Sequence, residues 1–168
     1  MFNIVGAMFA EEREARQAME ALAETPQFNG TNILQMSLVK RRDGELKLCD
    51  NFVSENLRNQ DTVKGGLIGG LIGILGGPIG ALLGGATGAL LGGAADIDNE
   101  DTSKTLIEQA AQKLEEGDLA LIMLVDEGEE NALDRQLLKY NVYIVRYDAE
   151  TIAKEVEEAE KREKEMGE

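Results

Sequence analysis

The chain has 168 residues and a formal net charge of −15, from 32 acidic and 17 basic side chains. Because a surface of this charge repels nucleic acid and anionic lipid, we expect no nucleic-acid partner, and any membrane contact has to be hydrophobic or locally basic. The lack of histidine and the single cysteine, Cys49, remove the commonest general base, the commonest metal ligand and any internal disulfide. The composition therefore predicts a protein that is not an enzyme and holds no metal or cofactor.

The first part of the chain has the pattern of a strand, a helix and a pair of strands. Residues 2–9 form a short apolar run that is typical of a buried strand. Residues 10–24 repeat small and apolar side chains at helical spacing, and a proline follows them. Residues 32–39 alternate in polarity, and the Asp43-Gly44 turn predicts that residues 45–49 pair back on them. A polar connection is predicted from residue 50 to residue 62.

The middle of the chain is a different kind of sequence, because residues 65–95 carry no charge and hold 13 of the 19 glycines. On a helix, glycines spaced by four lie above one another and leave a groove in which a second helix can approach closely. We expect these glycines, and the break between two runs of them, to mediate self-association. They are Gly65, Gly69, Gly73, Gly76, Gly77, Pro78, Gly80, Gly84, Gly88 and Gly92.

The break at residues 76–78 predicts two helices joined tightly as a hairpin, since glycine suits a helix end and proline a helix start. The arms, residues 65–77 and 78–95, would be roughly 20 and 27 Å long, against about 30 Å for a bilayer core. A hairpin that dips into the bilayer, or spans a thinned one, fits these lengths best. The side chains expected to face lipid are Leu67, Leu71, Ile74, Leu75, Ile79, Leu82, Leu83 and Leu90.

A basic cluster next to the hairpin offers contacts to lipid headgroups. Lys40, Arg41 and Arg42 are consecutive, and Lys64 directly precedes the uncharged segment. The alternative interpretation of the cluster is a solvated strand turn. Three interpretations of the glycine segment itself are weighed: a flexible linker, a hairpin buried on the chain's own sheet or in a soluble oligomer, and a hairpin in a membrane. In water, 13 helical glycines would cost on the order of 10 kcal/mol, so the hairpin needs lipid or protein around it.

The last part of the chain alternates helices and strands. A helix is predicted over residues 102–116, and seven continuous apolar residues at 119–125 predict a central strand covered on both faces. A short helix follows at residues 129–140 and a strand at 142–147. Asp148 is placed to begin a final helix, whose Glu and Lys or Arg side chains are spaced as ion pairs along a solvent-exposed face.

The order of the predicted elements is β-α-β-β, insertion, α-β-α-β-α. Without the insertion, the first part has the β-α-β-β-α-β order of a ferredoxin-like split βαβ sheet, and an extra αβ pair follows it. We therefore predict an α+β fold. Residues 1–62 and 97–148 would form one discontinuous domain, residues 63–96 an inserted glycine-zipper hairpin, and residues 149–168 a charged C-terminal helix.

A set of segments spread over most of the chain carries a family resemblance. They are the strand start at residues 2–5, the helix segment 11–18, the glycine segment 65–80, the helix end at Glu116 and Gly117, the strand 121–125, and Glu127. In these segments, and most specifically in the Leu-Gly-Gly-Pro-Ile-Gly stretch, the chain resembles the bacterial domain-of-unknown-function family DUF1269, often described as predicted membrane proteins. The resemblance implies a ferredoxin-like domain around a glycine-rich hydrophobic hairpin, and it implies no particular activity.

Two hypotheses about function follow from these patterns. In the first, the protein is a non-enzymatic scaffold on the cytoplasmic side of a membrane, with a lipid bilayer and further copies of itself as partners. In the second, it is a cytoplasmic, soluble homo-oligomer that binds a ligand or regulates another process, with the hairpin buried between copies. The identity of any small-molecule ligand cannot be deduced from the sequence.

Overall fold

The computed structural model describes residues 1–43, 45–54, 67–76 and 117–166, and these residues form an α+β fold. Within them, six strands and four helices follow one another along the chain. In chain order these are β1 (Phe2–Phe9), α1 (Glu12–Glu24), β2 (Gln27–Phe28), β3 (Thr31–Arg42), β4 (Glu45–Val53), α2 (Leu67–Gly76), β5 (Leu119–Glu127), α3 (Glu130–Leu137), β6 (Val142–Asp148) and α4 (Ala149–Met166).

Helix α1 follows the spacing of its apolar side chains. Ala15, Ala18, Met19 and Leu22 are its buried residues, and their i, i+3, i+4, i+7 positions place them on one side of a helix. The helix ends at Glu24, two residues before a proline, because a residue that precedes proline disfavours the helical conformation. The predicted helix over residues 10–24 is confirmed, apart from its first two residues.

All strand pairs in the sheet are antiparallel. The order of the long strands is β6-β1-β5-β3. Two more strands pair with the outer side of β3: β2 pairs with its beginning and β4 with the rest of it. The central position predicted for residues 119–125 is confirmed, because β5 pairs with β1 on one side and with β3 on the other. Its seven apolar residues are all buried, as expected for a strand that is covered on both faces.

The place of β4 differs from the prediction. The sequence grouping treated residues 45–49 as a strand of the split βαβ unit, but β4 lies outside β3, and β5 occupies the position between β1 and β3. The physical reason is polarity, since β4 carries Glu45, Lys47 and Asp50, which suit a sheet edge, whereas β5 is apolar on both faces. Strand β4 also continues to Val53, although a polar connection was predicted from residue 50.

Helices cover both faces of the sheet. Helices α1 and α3 contribute Met19, Leu22 and Leu133 to a core on one face. Helices α2 and α4 contribute Ile68 and Ile152 to a second core on the other face. The second hairpin arm predicted for residues 78–95, with the lipid-facing and glycine positions assigned to it, lies outside the described residues, as does the helix predicted for residues 102–116.

Candidate functional site

One side of α2 is buried against the chain's own sheet. Leu67 is 8% exposed, Ile68 0% and Leu71 4%, and all three belong to a core cluster with Ile122 of β5 and Val156 of α4. These helix positions share one side because residues four apart lie nearly above one another. The prediction that Leu67 and Leu71 face lipid does not hold in this structure, because the sheet and α4 already cover them.

The opposite side of α2 is a strip without side chains, which we call the glycine face. It consists of Gly69 and Gly73, which are both exposed. Among the described residues, no atom lies within 4 Å of a Cβ atom built on either glycine. Because the two glycines are one helical turn apart, the backbone of α2 is accessible along this strip. Of the predicted glycine ladder, these are the positions at which the structure describes an open surface.

Gly70 has a different role, which the sequence pattern did not separate from that of its neighbours. A Cβ atom at Gly70 would lie 3.0 Å from Cγ1 of Val156 and 3.2 Å from Oε1 of Glu160. Glycine at this position therefore lets α2 and α4 pack closely within the same chain. Of these three glycines, Gly70 is used within the fold, whereas Gly69 and Gly73 face outward.

The described part of the chain contains no helix that is both long and apolar enough to cross a membrane. Helix α2 has ten residues, which corresponds to a length of about 15 Å. It carries no charged residue in its first or last turn. The uncharged character predicted from the sequence is therefore present in a helix that lies on the domain.

The basic residues predicted to meet lipid headgroups do not share one environment. Arg41 is 4% exposed, and its backbone pairs with the residues before β5, since its N–H donates to the Asp118 carbonyl at 3.0 Å. Arg42 is exposed and Lys40 is half-buried, while Lys64 lies outside the described residues. Strand alternation turns Arg41 and Arg42 to opposite faces of the sheet, and the burial of Arg41 keeps its side chain from lipid headgroups in this structure.

A charged cluster at one end of the sheet was not predicted. The Arg146 guanidinium of β6 donates from Nε to Glu127 Oε2 at 2.8 Å and from Nη2 to Glu127 Oε1 at 2.9 Å. It also donates from Nη2 to Asp134 Oδ1 of α3 at 2.8 Å. Asn3 of β1 donates from Nδ2 to Glu127 Oε2 at 2.7 Å. The cluster therefore joins β1, β5, β6 and α3.

The cluster is largely shielded from water, and its arginine is held in the charged form. The side chain of Glu127 is 1% exposed, that of Arg146 18% and that of Asp134 30%. Burial alone would lower the pKa of Arg146, but the hydrogen bonds and charges of Glu127 and Asp134 outweigh it and raise that pKa. Because the Arg146 guanidinium stays charged and bonds to Glu127 and Asp134, it holds β5, β6 and α3 together as a clamp. The sequence signal was a lone arginine within an apolar strand.

A groove of about 240 Å³ lies between α1 and the end of α3. The residues that line it include Leu22, Phe28, Leu137, Lys139 and Tyr140. Among the described residues, no group of three or more acidic or cysteine side chains is placed to hold a metal ion.

The fold and this surface define an α+β protein that carries an uncharged glycine helix on one face of an antiparallel sheet. Comparison with protein families matches residues 62–162 to DUF1269, a family described as a protein of unknown function. The match covers more than half of the chain, so the protein belongs to the DUF1269 family. The matched part includes α2, most of α4 and all residues of the Arg146 cluster except Asn3. No curated protein and no solved structure was found to be similar.

Proposed function

We propose that this protein is a non-enzymatic scaffold that self-associates through the glycine face of α2. The observation that carries the proposal is the open space over Gly69 and Gly73. An exposed helical glycine costs roughly 0.5–1 kcal/mol relative to alanine, and the described fold contains no contact that requires glycine at either position. The close contact with α4 explains the glycine at position 70, whereas no contact of the described residues explains the glycines at positions 69 and 73.

A contact between the glycine faces of two copies would explain why glycine occupies positions 69 and 73. Glycine lets helix backbones approach closely, and the gain comes from van der Waals packing along the contact. A two-fold axis would place the same face of each copy against the other, so a single surface serves both copies. Helix α2 contains no charged residue, so a contact along the strip does not remove any charged group of this helix from water.

We also propose that the sheet is a ferredoxin-like split βαβ sheet, in a different assignment from the one expected. The order β1-α1-β3-β5-α3-β6 has the β-α-β-β-α-β pattern of that fold, and the four strands lie in the order β6-β1-β5-β3. In this assignment α3 and β6 belong to the unit. Strand β4 and α2 are then parts of one long insertion between its second and third strands.

The test replaces the glycine face without disturbing the fold. The double variant Gly69→Gln with Gly73→Gln places long side chains into open space, and glutamine is a good helix former. We expect the thermal midpoint to stay the same or rise, while chemical crosslinking between copies falls strongly. The matched control, Gly69→Ala with Gly73→Ala, adds the same helix preference with much less bulk and should retain more crosslinking. Unchanged crosslinking in the glutamine variant would contradict the proposal.

Association with a membrane is a second candidate function, and the uncharged run of residues 65–95 favours it. In that case the surface of assembly would lie in or against a bilayer, on its cytoplasmic side. Full insertion of α2 would first remove Leu67, Ile68 and Leu71 from the core and uncover the apolar side chains of the sheet and of α4 that they cover. Detergent-free fractionation separates the candidates, because a membrane scaffold pellets with vesicles, whereas an assembly in solution, including a regulatory homo-oligomer, stays in the supernatant.

A further inference from the structure

We propose that β6 is a second contact surface, at which another copy of this chain adds its own β6 and continues the sheet. The proposal concerns the backbone of Val142–Asp148. Strand β6 pairs with β1 on one side, and the described residues contain no strand on its other side. A sheet edge presents a row of backbone N–H and C=O groups that can pair with another strand.

Strand β6 carries fewer of the features that protect a sheet edge than β4 does, although it contains two charged residues, Arg146 and Asp148. Its seven residues, Val-Tyr-Ile-Val-Arg-Tyr-Asp, contain four β-branched or aromatic positions in a row and no lysine or proline. Its pairing with β1 runs without a bulge from Val142 to Asp148. Tyr143 is 58% exposed. An edge whose pairing runs without a bulge and whose residues are mostly β-branched or aromatic can pair with another strand.

The edge on the other side of the sheet is protected, which makes the contrast within one molecule informative. Strand β4 carries Glu45, Lys47 and Asp50, and Lys47 and Asp50 are exposed. A register shift opposite Leu38 and Val39 also interrupts its pairing with β3. Charged side chains and bulges are the usual means of discouraging edge-to-edge contact. The chain therefore protects β4 and leaves β6 suited to pairing.

The sequence of β6 is complementary to itself when two copies run antiparallel. With Val145 on the two-fold axis, Tyr143 of one copy lies opposite Tyr147 of the other, and Ile144 lies opposite Arg146. Aromatic pairs and β-branched residues directly opposite one another are favourable cross-strand neighbours. A shift that put Arg146 on the axis would place two like charges together, so charge disfavours that register. A second copy is thus the occupant that the edge fits.

This inference deepens the proposed function, since it rests on self-association, but it assigns a separate surface. The glycine face lies on the side of α2 that points away from the sheet, and the β6 edge lies in the plane of the sheet. Two independent two-fold contacts would let copies extend into a larger assembly, whereas either contact alone closes at a dimer. The two contacts can therefore be removed one at a time.

The register is tested by disulfide formation in a Cys49→Ser background. A cysteine that replaces Val145 would lie opposite its counterpart, and side chains directly opposite in an antiparallel pair have Cβ atoms about 4.5–5.5 Å apart. We expect Val145→Cys to form a covalent dimer under mild oxidation. Leu48→Cys, at a 58% exposed position on the protected edge, is the matched control and should remain monomeric under the same conditions. Equal crosslinking at both edges, or none at position 145, overturns the proposal.

A second variant keeps the test independent of how the core tolerates cysteine. Tyr143→Lys places a charge on the exposed edge, and its folding is checked by circular dichroism. We expect sedimentation to show a loss of the largest species with the crosslinks that depend on Gly69 and Gly73 retained. If the glycine variants have no effect while Val145→Cys still crosslinks, the proposed function fails and the edge contact stands. If Tyr143→Lys sediments as wild type, the edge contact fails, and an extended peptide from another protein becomes the occupant to examine.

Discussion

Replacement of Arg146 by methionine should destabilise the protein severely, because it leaves the buried carboxylate of Glu127 without its charged partner. Glu127 has a side chain that is 1% exposed and accepts two hydrogen bonds from Arg146. Removing one partner of a buried ion pair typically costs about 3–5 kcal/mol, mostly from the uncompensated charge that is left behind. We therefore expect Arg146→Met to lower the free energy of unfolding by about that amount.

Urea denaturation followed by circular dichroism measures the effect, and the chain offers an exposed pair as a control. Arg135 and Glu129 lie 3.9 Å apart with side chains 60% and 68% exposed, so Arg135→Met should change stability by less than about 1 kcal/mol. Combining Arg146→Met with Glu127→Leu removes both charges and should recover a large part of the loss. If Arg146→Met and Arg135→Met have equal effects, the clamp does not stabilise the fold as described.

Three further predictions concern α2 and its neighbours. Ile68→Ala should destabilise the domain by about 2–5 kcal/mol in the same urea assay, because Ile68 is 0% exposed; an effect below 1 kcal/mol would mean that α2 does not dock on the sheet in solution. Gly70→Val should cost about 1–3 kcal/mol, since its Cβ would press on Val156 at 3.0 Å, and a thermal midpoint equal to that of wild type would refute the close contact with α4. Arg42→Ala, at the exposed end of β3, should reduce vesicle binding in a co-sedimentation assay if the membrane candidate holds, whereas unchanged binding would contradict a headgroup contact by Arg42.

The strengths of the sequence prediction lie where the pattern is local. Residues 119–125 predicted a central strand because a continuous apolar run can only be satisfied when both faces are covered, and β5 has that position. Helix α1 was predicted because its apolar spacing directly determines which side is buried. In both cases the burial of a segment depends on its own residues.

The features that the sequence did not predict correctly depend on contacts between distant segments. The position of β4 depends on which strand gains more by occupying the centre of the sheet, and that competition is not visible within residues 45–53. The Arg146 cluster joins residues 3, 127, 134 and 146, each of which is an ordinary charged or polar residue in its own segment. The sequence places Arg41 next to Arg42 and so predicts one basic patch, but consecutive strand residues point to opposite faces of the sheet.

The different roles of the glycines in α2 depend on tertiary contacts and could not be predicted from their spacing. Spacing by four predicted that glycines form a stripe, but it could not assign Gly70 to the chain's own α4 and leave Gly69 and Gly73 outside. The leucines of α2 were equally ambiguous, because an apolar stripe fits a lipid bilayer and a protein core alike. Docking on the sheet resolves that ambiguity for Leu67 and Leu71.

Hydrogen–deuterium exchange across a dilution series tests the central claim most directly. The amides of residues 68–76 are followed while the protein passes from its assembled to its dissociated form, with the amides of β5 as an internal reference. The account predicts that exchange in α2 becomes faster on dissociation while exchange in β5 stays the same. Dissociation with no change in the exchange of α2 would show that copies meet elsewhere and would contradict the account.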